Sequence, residues 1–583
     1  MLMRSMLCLF ALLPVLVFAG NSVPITALPE ENAVIKTENA QLPPATVRFL
    51  VGQVDTIGGT TYDWQFNGPE YRLLVNSSDY GLHAGWMFST EPGSPWSDRN
   101  MRYNFYDYAG GAWNWLDPDF MASGVSVYTN RSGFGMLDAD PVTGVAMFTA
   151  HQTPGGATIR PVLGRDMAPG GGIFEYCDGS PNAEGYQWPP IGIDANQVVH
   201  CALIDAATTD ELYYTKVPTW CNWEAPVSIV APQPQPMFPT QNIAASKISQ
   251  KVCVVWVYSE GTPYEAAYYR ISTDGGTTWG DATELTPPPA YGGDTIASFH
   301  ITSLFPWYDD QDRLHIVAGI IPSVHDTLYI IPAEIWHWCP DNTPAWSKIH
   351  RAGCDPANLQ ASVGYNAAYA CRPSIGQDDR GRLYVAWEQF DSANVEPVTN
   401  LLRADIFAAA SEDGGNTWLS AVKLTEAGTA SCRFPCVADK MVRLGGELYV
   451  PVIYEIDQQA GFIVQGQGSS TNNPFVVQWV PATALGVGIA EEQQQLPKRI
   501  EVRASPNPFM NRTTISYALP YNSNISLSIY DAAGRPVQTL VNGERQPGYY
   551  AVNFNANGLA KGVYFYTLTA GGTSISGKLT LVR

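Results

Sequence analysis

STDGGTTW at residues 272–279 and SEDGGNTW at residues 411–418 are two copies of one pattern, S-x-D-G-G-x-T-W. Each copy follows a short strand-like run, over residues 266–271 and 406–410. Ser and Asp side chains hydrogen-bond nearby backbone, paired glycines supply positive φ, and a tryptophan can pack over the turn. The pattern predicts a tight hairpin between two strands. The residues predicted to build the two turns are Ser272, Asp274, Gly276, Trp279, Ser411, Asp413, Gly415 and Trp418.

Seven apolar segments, each opened by a turn, recur along the chain at intervals of roughly 53 to 69 residues. Their equivalent positions are Leu82, Val145, Val199, Val252, Leu314, Leu383 and Leu448. Further strands follow each segment, which indicates four-stranded sheets arranged radially so that every sheet buries its faces against its neighbours. The run TVRFLV at residues 46–51 is predicted to close the ring by pairing with the sheet that contains residues 475–480.

The two S-x-D-G-G-x-T-W copies resemble the Asp box, or BNR repeat, of sialidase-like β-propellers. In that family the box joins the third and fourth strands of a blade and lies on the face opposite the active site. The resemblance implies an all-β fold, a propeller over residues 46–487. Sialidases have six blades and the repeat gives seven segments, so six or seven blades are expected. The box also occurs in proteins that catalyse nothing, and it predicts the fold rather than an activity.

A change of composition marks the end of the predicted propeller. Residues 488–499 are polar and are interpreted as a linker. Residues 500–583 contain alternating short strands, with ASPNPF at 504–509, LSIYD at 527–531 and GKLTLVR at 577–583. This region resembles the type A C-terminal sorting domain of the type IX secretion system and a related Ig-like domain. The resemblance implies a small Ig-like β-sandwich and the type IX secretion machinery as a partner.

The N-terminus is predicted to be a secretory signal peptide over residues 1–20. Arg4 supplies the positive charge, residues 6–18 the apolar run, and Ala19-Gly20 a small-residue cleavage site. Residues 21–45 are interpreted as a leader. The apolar run is shorter than a membrane-spanning helix requires. The expected protein is therefore secreted or held at the cell surface, with no integral membrane segment after signal cleavage.

Charge and cysteine content limit which partners and cofactors are expected. The net charge of −21 argues against nucleic acid, because both molecules are anionic. Without Cys8 in the signal peptide, nine cysteines remain, an odd number, and no C-x-x-C motif occurs. No cofactor and no metal site are predicted, and the acidic run at 309–312 is interpreted as a solvated turn. A disulfide between Cys371 and Cys432 is a hypothesis.

Two predicted inner strands begin alike, with Cys371-Arg372-Pro373 and Cys432-Arg433-Phe434-Pro435. Arg372 and Arg433 could point together at the mouth of the channel, where guanidinium groups bind carboxylates bidentately. Sialidases use three such arginines, but their early R-I-P tripeptide does not occur here. Candidates for a third are Arg131, Arg160 and Arg270. The alternative is that the arginines pair with carboxylates of the blades themselves.

Acidic and aromatic side chains follow two of the predicted second strands. They are Glu388, Asp391, Tyr454 and Glu455. The resemblance to sialidases suggests a Tyr–Glu nucleophilic pair, and other glycosidases use paired carboxylates. His300 is the histidine to test as a ligand, because it lies near an inner-strand start. The leading hypothesis is a propeller that binds, or also processes, extracellular glycans or polymers. The alternatives are an exo-glycosidase of sialidase type and an adhesive, protein-binding propeller without catalysis.

Overall fold

Seven antiparallel sheets follow one another along residues 53–481. This computed structural model describes residues 46–208, 211–231, 240–258, 265–325, 327–488 and 499–582. The predicted signal peptide and leader, with residues 489–498 of the predicted linker, lie outside the described residues. Contacts divide the chain after Val487 into two units, each with its own apolar core. In the described part of the chain, none of the helices combines the length and apolarity that crossing a bilayer requires.

The sheets are called blades 1 to 7, and the strands of each blade are given from the innermost outward. Blade 1 has Leu74–Ser77, Gly81–Phe88, Asn100–Asp107 and Ala112–Trp113, and blade 2 has Ser132–Gly133 with Leu137–Ala139, Ala146–Gln152, Arg160–Asp166 and Phe174–Asp178. Blade 3 has Tyr186–Gln187 with Ile191–Ile193, Val199–Asp205, Leu212–Val217 and Val227–Val230, and blade 4 has Asn242–Ala245, Val252–Tyr258, Ala266–Ser272 and Thr283–Leu285.

The remaining blades are built in the same order. Blade 5 has Ile296–Phe299 with Phe305–Tyr308, Leu314–Val324, Ala333–Trp338 and Trp346–Ala352, and blade 6 has Ala370–Gln377, Leu383–Val395, Leu402–Ser411 and Val422–Lys423. Blade 7 has Ser431–Val437, Glu447–Asp457, Asn473–Pro481 and Gln53–Thr60. All seven apolar segments of the sequence repeat are second strands, including Ala146–Gln152 of blade 2.

The inner strands form a closed ring. From blade 1 to blade 7, each inner strand packs beside that of the next blade. Blade 1 meets blade 7 where the backbone N–H of Asn76 donates to Oδ1 of Asp439 over 2.8 Å. The unit is therefore a seven-bladed β-propeller, and the repeat in the sequence counted its blades correctly.

The strand that closes the ring differs from the predicted one. Gln53–Thr60 pairs with Asn473–Pro481, whereas Arg48–Phe49 forms a short pair with Thr425–Glu426. The predicted blade was right, but residues 46–51 were the wrong strand. The reason is steric, because the ring of Trp86 lies where a Cβ on Gly58 would be. The less apolar sequence with two glycines is the one that fits against blade 1.

The two S-x-D-G-G-x-T-W loops, called the box loops, each join the third and fourth strands of a blade. In the first, Oδ1 of Asp274 accepts from the backbone N–H groups of Thr277 and Thr278, and Oγ of Ser272 accepts from that of Gly276. Ser411 and Asp413 make the corresponding bonds in the second loop. Trp279 and Trp418 then pack against aromatic rings of the preceding blade.

The histidines in the repeated register pack within their blades. His83 lies 2.8 Å from the hydroxyl of Tyr103, and His200 lies 2.6 Å from that of Tyr214. The equivalent His315 contacts His337. Each pair joins the second strand of a blade to the third, which accounts for the repetition without a shared ligand.

The hypothesis of a disulfide between Cys371 and Cys432 is wrong. The Cys371 thiol donates to Oε1 of Glu388 over 3.2 Å, and it packs in a different apolar cluster from Cys432. The two strands start alike in sequence, but each thiol packs with its own neighbours.

The acidic run at residues 309–312 forms ion pairs within the chain. Asp309 accepts from Arg313, and Asp312 contacts Lys251.

The C-terminal unit is a β-sandwich of two antiparallel sheets. One sheet contains Glu501–Ser505, Arg512–Leu519 and Gly548–Asn555, and the other contains Ser523–Asp531, Pro536–Arg545, Gly562–Ala570 and Thr573–Leu581. The alternating apolar residues of the strands face each other and form the core, with Ile515, Leu527 and Leu568 fully buried.

Candidate functional site

Arg372 and Arg433 converge, and the group between them is Glu388. Nη1 of Arg372 lies 2.6 Å from Oε1 of Glu388, and Nε of Arg433 lies 3.1 Å from Oε2. The backbone N–H of Phe434 also donates to Oε2. All three charged side chains are buried. The matched Cys-Arg starts of two inner strands therefore hold a carboxylate of the second strand of blade 6.

The electrostatics of this group follow from its geometry. Burial alone would raise the pKa of Glu388, but Arg433 and Arg372 outweigh it and lower the pKa to about 2. The guanidinium carbon of Arg433 also lies 5.0 Å from the ring centroid of Phe390 and 4.9 Å from that of Phe462. Glu388 is thus an anion held between two buried cations.

Tyr454 and Glu455 do not form a pair. They are neighbours on Glu447–Asp457, so their side chains point to opposite faces of the sheet. The Tyr454 hydroxyl donates to Oε1 of Gln478 over 2.9 Å, and Glu455 accepts from Asn473 over 2.9 Å. The Tyr–Glu arrangement of a sialidase nucleophile is therefore not assembled here.

The other predicted site residues lie apart from one another. Asp391 lines an open cavity of about 570 Å³ in which Asp405 is paired with Lys423. His300 is buried, with Nδ1 2.6 Å from Oγ1 of Thr302. Burial, and then Arg372, lower the pKa of His300 to about 3, so its ring is neutral. Among the described residues, no three His, Cys, Asp or Glu side chains are placed to share a metal ion.

The chain itself crosses the central channel. Residues 61–73, called the strap, are all buried and connect the last strand of blade 7 to the first of blade 1. Asn242 of blade 4 donates to the carbonyl of Glu70 over 3.0 Å. The guanidinium of Arg72 lies over the Phe305 ring of blade 5 and donates to the carbonyl of Ile375 in blade 6. A ligand therefore cannot use the axis of the channel while the strap is in place.

The strap brings further carboxyl groups to the buried arginines. Both oxygens of Glu70, and Oδ1 of Asp63, have no hydrogen-bond partner within the described part of the chain. Burial raises the pKa of Asp63 to about 7 and that of Glu70 well above its usual range. Asp457 lies close enough to Asp63 for the two to interact, and burial raises its pKa also. These groups gain by staying protonated, because nothing nearby fully compensates their charges.

A polar pocket opens on the face where the inner strands begin. We call it the arginine pocket, and its volume is about 190 Å³. It lies between blades 2 and 3 beside the strap, where second strands end and inner strands start. The box loops lie at the other end of the strands, on the opposite face. The pocket is lined by Asn67, Arg99, Arg131, Phe134, His151, Gln152, Thr153, Ile159, Gln187 and Trp188.

Two arginines give the arginine pocket its charge. Nε of Arg99 donates to the carbonyl of Ser132, and its guanidinium lies 4.9 Å from the Phe134 ring centroid. Nε of Arg131 donates to the backbone carbonyls of Pro95 and Trp96. These bonds fix both guanidinium groups at the pocket wall.

His151 and Gln152 add neutral polar groups at the end of Ala146–Gln152. Nδ1 of His151 accepts from the backbone N–H of Trp188 over 3.2 Å, so its proton is on Nε2. Burial, Arg99 and Arg131 together lower the pKa of His151 well below its usual range. Oε1 of Gln152 is buried and has no partner in the described part of the chain. A neutral imidazole and an amide therefore accompany the two cations.

Of the three candidates for a third arginine, Arg131 alone lines this pocket. Arg160 is paired with Glu184, and Arg270 donates to the carbonyl of Gly280. Arg99, His151 and Gln152 were missed from the sequence, because no motif connects residues that approach from different blades. A weak signal existed, since His151 and Gln152 end a second strand of the repeat.

Comparisons with known proteins match the C-terminal tail to one family and find several solved structures of limited similarity. Residues 504–582 match the family described as Secretion system C-terminal sorting domain. No curated protein matches the chain. Similar solved structures include a PL25 polysaccharide lyase described as an ulvan lyase, with 10% identity and a TM-score of 0.42, over 74% of this chain and 95% of that one. The NanB sialidase of Streptococcus pneumoniae has 11% identity and a TM-score of 0.37, over 74% and 71%. An α-L-arabinanase of Penicillium chrysogenum has 12% identity and a TM-score of 0.35, over 74% and 98%.

The fold and the matched tail together define the class of protein. It is a seven-bladed β-propeller followed by a β-sandwich that carries a secretion address. The protein is exported to the cell surface or into the medium.

Proposed function

We propose that the propeller binds acidic residues of extracellular glycans in the arginine pocket, after export through the type IX secretion machinery. One observation carries this proposal. The lining brings two arginines, Arg99 and Arg131, to one small pocket, although the whole chain has a net charge of −21. A local cationic pocket on an anionic protein favours an anionic ligand.

The chemistry of the lining suits a sugar that carries a carboxylate or a sulfate. Arg99 and Arg131 supply charge-assisted hydrogen bonds of the kind that recognise such groups. The Nε2–H of neutral His151 and the amide of Gln152 can bond sugar hydroxyls. Trp188 adds an apolar wall. A volume of about 190 Å³ is small compared with pockets for drug-sized ligands, and it suits a single sugar unit of a longer chain.

The alternatives have less support. An exo-glycosidase of sialidase type needs three arginines around an open pocket and a Tyr–Glu pair. Arg372 and Arg433 instead bind Glu388, and Tyr454 faces away from Glu455. An adhesive propeller without polar recognition would not need two arginines and an unpartnered amide oxygen in one pocket. We therefore favour glycan binding over both.

Calorimetric titration of the full chain tests the proposal. The ligands are oligosaccharides that contain uronic acid, their sulfated counterparts, and neutral oligosaccharides of the same length. We expect the acidic sugars to bind and the neutral sugars to bind at least about tenfold more weakly, the scale of one charge-assisted hydrogen bond. Following the same mixtures by NMR detects released sugar and would reveal processing.

Substitutions separate the pocket from general surface charge. Arg131→Gln should weaken binding of the acidic sugar by about tenfold or more. Arg270→Gln removes the same charge from the third strand of blade 4 and should leave the affinity unchanged. Equal loss in both variants, unchanged affinity in Arg131→Gln, or no binding of any acidic sugar would reject the proposal.

A further inference from the structure

Two cysteines lie together where the outer parts of blades 2 and 3 meet. Cys177 is on Phe174–Asp178, the outermost strand of blade 2, and Cys221 lies in the connection between the last two strands of blade 3. Both are free thiols in the structure, and the neighbouring side chain of Cys221 adds to burial in raising the pKa of Cys177. They are separated by more than forty residues in sequence, so the fold has brought them together.

Contacts on either side of Cys221 hold its segment against blade 2. The guanidinium carbon of Arg165 lies 4.2 Å from the ring centroid of Trp220. The side-chain amide of Asn182 donates to the carbonyl of Trp223 over 2.7 Å. Arg165 is on the strand that pairs with that of Cys177, two residues from the partner of Cys177. Two contacts between the blades therefore hold the segment of Cys221 beside the strand of Cys177.

Exposure distinguishes this pair from most of the other cysteines. Cys221 is exposed and Cys177 half-buried, whereas Cys201, Cys253, Cys339, Cys371, Cys432 and Cys436 are buried. Cys354 is half-buried. An oxidant can reach Cys221 in the folded protein. The sorting domain sends the protein out of the cell, where disulfides form and persist.

We propose that Cys177 and Cys221 form a disulfide that joins blades 2 and 3 in the exported protein. The oxidant is the disulfide of a thiol–disulfide oxidoreductase of the cell envelope. Cys221 attacks that disulfide, forms a mixed disulfide and releases one oxidant sulfur as a thiolate. Cys177 then attacks the Cys221 sulfur and releases the second. The two cysteines lose two protons and two electrons, and the oxidant becomes a dithiol.

The disulfide joins two blades that both contribute residues to the arginine pocket. Blade 2 supplies His151 and Gln152 to that pocket, and blade 3 supplies Gln187 and Trp188. The bond also closes a loop of the chain that contains Gln187 and Trp188. Closing this loop restricts the conformations of the unfolded chain. We expect the bond to stabilise the contact between the two blades whether or not the pocket binds a glycan.

Peptide mapping of the exported protein tests the proposal directly. Full-length protein is collected from the surface or medium of the producing cells, blocked with N-ethylmaleimide under denaturing conditions and digested without reduction. Mass spectrometry should find one linked peptide that contains Cys177 and Cys221. Finding both cysteines alkylated, or either one linked to a different cysteine, would overturn the proposal.

A second measurement uses the melting temperature. Reduction should lower Tm of the natural protein and of the control variant Cys354→Ser, and it should leave Tm of Cys221→Ser unchanged. An equal decrease in all three proteins would show that another bond is responsible and would overturn the proposal. If Cys221→Ser does not fold, the peptide map of the exported protein still tests the proposal.

Discussion

The buried charge of Glu388 is compensated by groups of the chain itself. Glu388 accepts from Arg372, Arg433 and the backbone of Phe434. Removing one member of a buried ionic group typically costs about 3–5 kcal/mol, because the charges that remain are uncompensated. Two arginines that converge on one point can bind a substrate, or they can hold a carboxylate of the protein itself. The partner atom decides between these two interpretations.

Asp63 gives a prediction about pH at the residue scale. Burial raises its pKa from 3.8 to about 7. A carboxyl group whose pKa is higher in the folded state favours folding below pH 4, and this advantage is lost as pH rises through about 7. Asp63→Asn keeps an oxygen that can accept from the N–H of Ile463 but cannot ionise. The free energy of unfolding of the natural protein, relative to Asp63→Asn, should therefore decrease between pH 4 and pH 8.

Urea unfolding at several pH values measures this difference, which should reach about 2–4 kcal/mol. Comparing the two proteins cancels the opposite contribution of the buried histidines. The control is Glu412→Gln, a similar change at an exposed side chain. Parallel stability curves for the natural protein and Asp63→Asn would contradict the prediction.

At the scale of the element, each box loop packs against the preceding blade. Gly415 has a φ of 86°, and a Cβ there would overlap the ring of His337 in blade 5. Trp418 packs on the same ring and donates to Ser347. The second glycine of the loop is thus needed both for its conformation and for the close approach of the neighbouring blade.

The expected effect of Gly415→Ala therefore has two parts, strain from positive φ and steric overlap. Gly445 also has a positive φ, 61°, but a Cβ there would meet nothing within 4 Å, so Gly445→Ala is a matched control for strain alone. We expect Gly415→Ala to cost about 1–3 kcal/mol more than Gly445→Ala in urea unfolding. Equal costs would mean that the loop and His337 separate without penalty.

At the scale of the whole molecule, the strap and the closing strand come from one continuous segment. Gln53–Thr60 completes blade 7, and residues 61–73 then cross the channel before blade 1 begins. Residues 53–73 thus connect the last blade of the ring to the first. This closure buries the hydrogen-bonding edge of blade 7 and fills the centre of the ring at the same time.

The two cores predict two thermal transitions. Leu527 is fully buried in the C-terminal sandwich, and Leu383 is fully buried in the propeller. Leu→Ala at such sites costs about 2–5 kcal/mol. In scanning calorimetry of the full chain, Leu527→Ala should lower one transition temperature and Leu383→Ala the other. A common shift of both transitions in either variant would contradict separate folding units.

Local patterns predicted more of the fold than of the site. The turn of each box loop depends on Ser, Asp and Gly atoms within a few residues of one another. The eight-residue pattern was therefore enough to predict it. The seven second strands share a register because every blade has to bury its faces against the two neighbouring blades. The closing strand was misplaced because the apolar run TVRFLV looked more strand-like than QVDTIGGT. The space beside Trp86, which selects the glycines, is invisible in the sequence.

The sequence by itself determined the repeat, the turns and the secretion address, because these depend on side chains close together along the chain. The tertiary structure alone decided that Arg372 and Arg433 bind Glu388 while Arg99, Arg131 and His151 line an open pocket. Both outcomes use similar residue types. They differ because closing the ring and laying the strap across it determine which side chains are buried together and which line an open pocket.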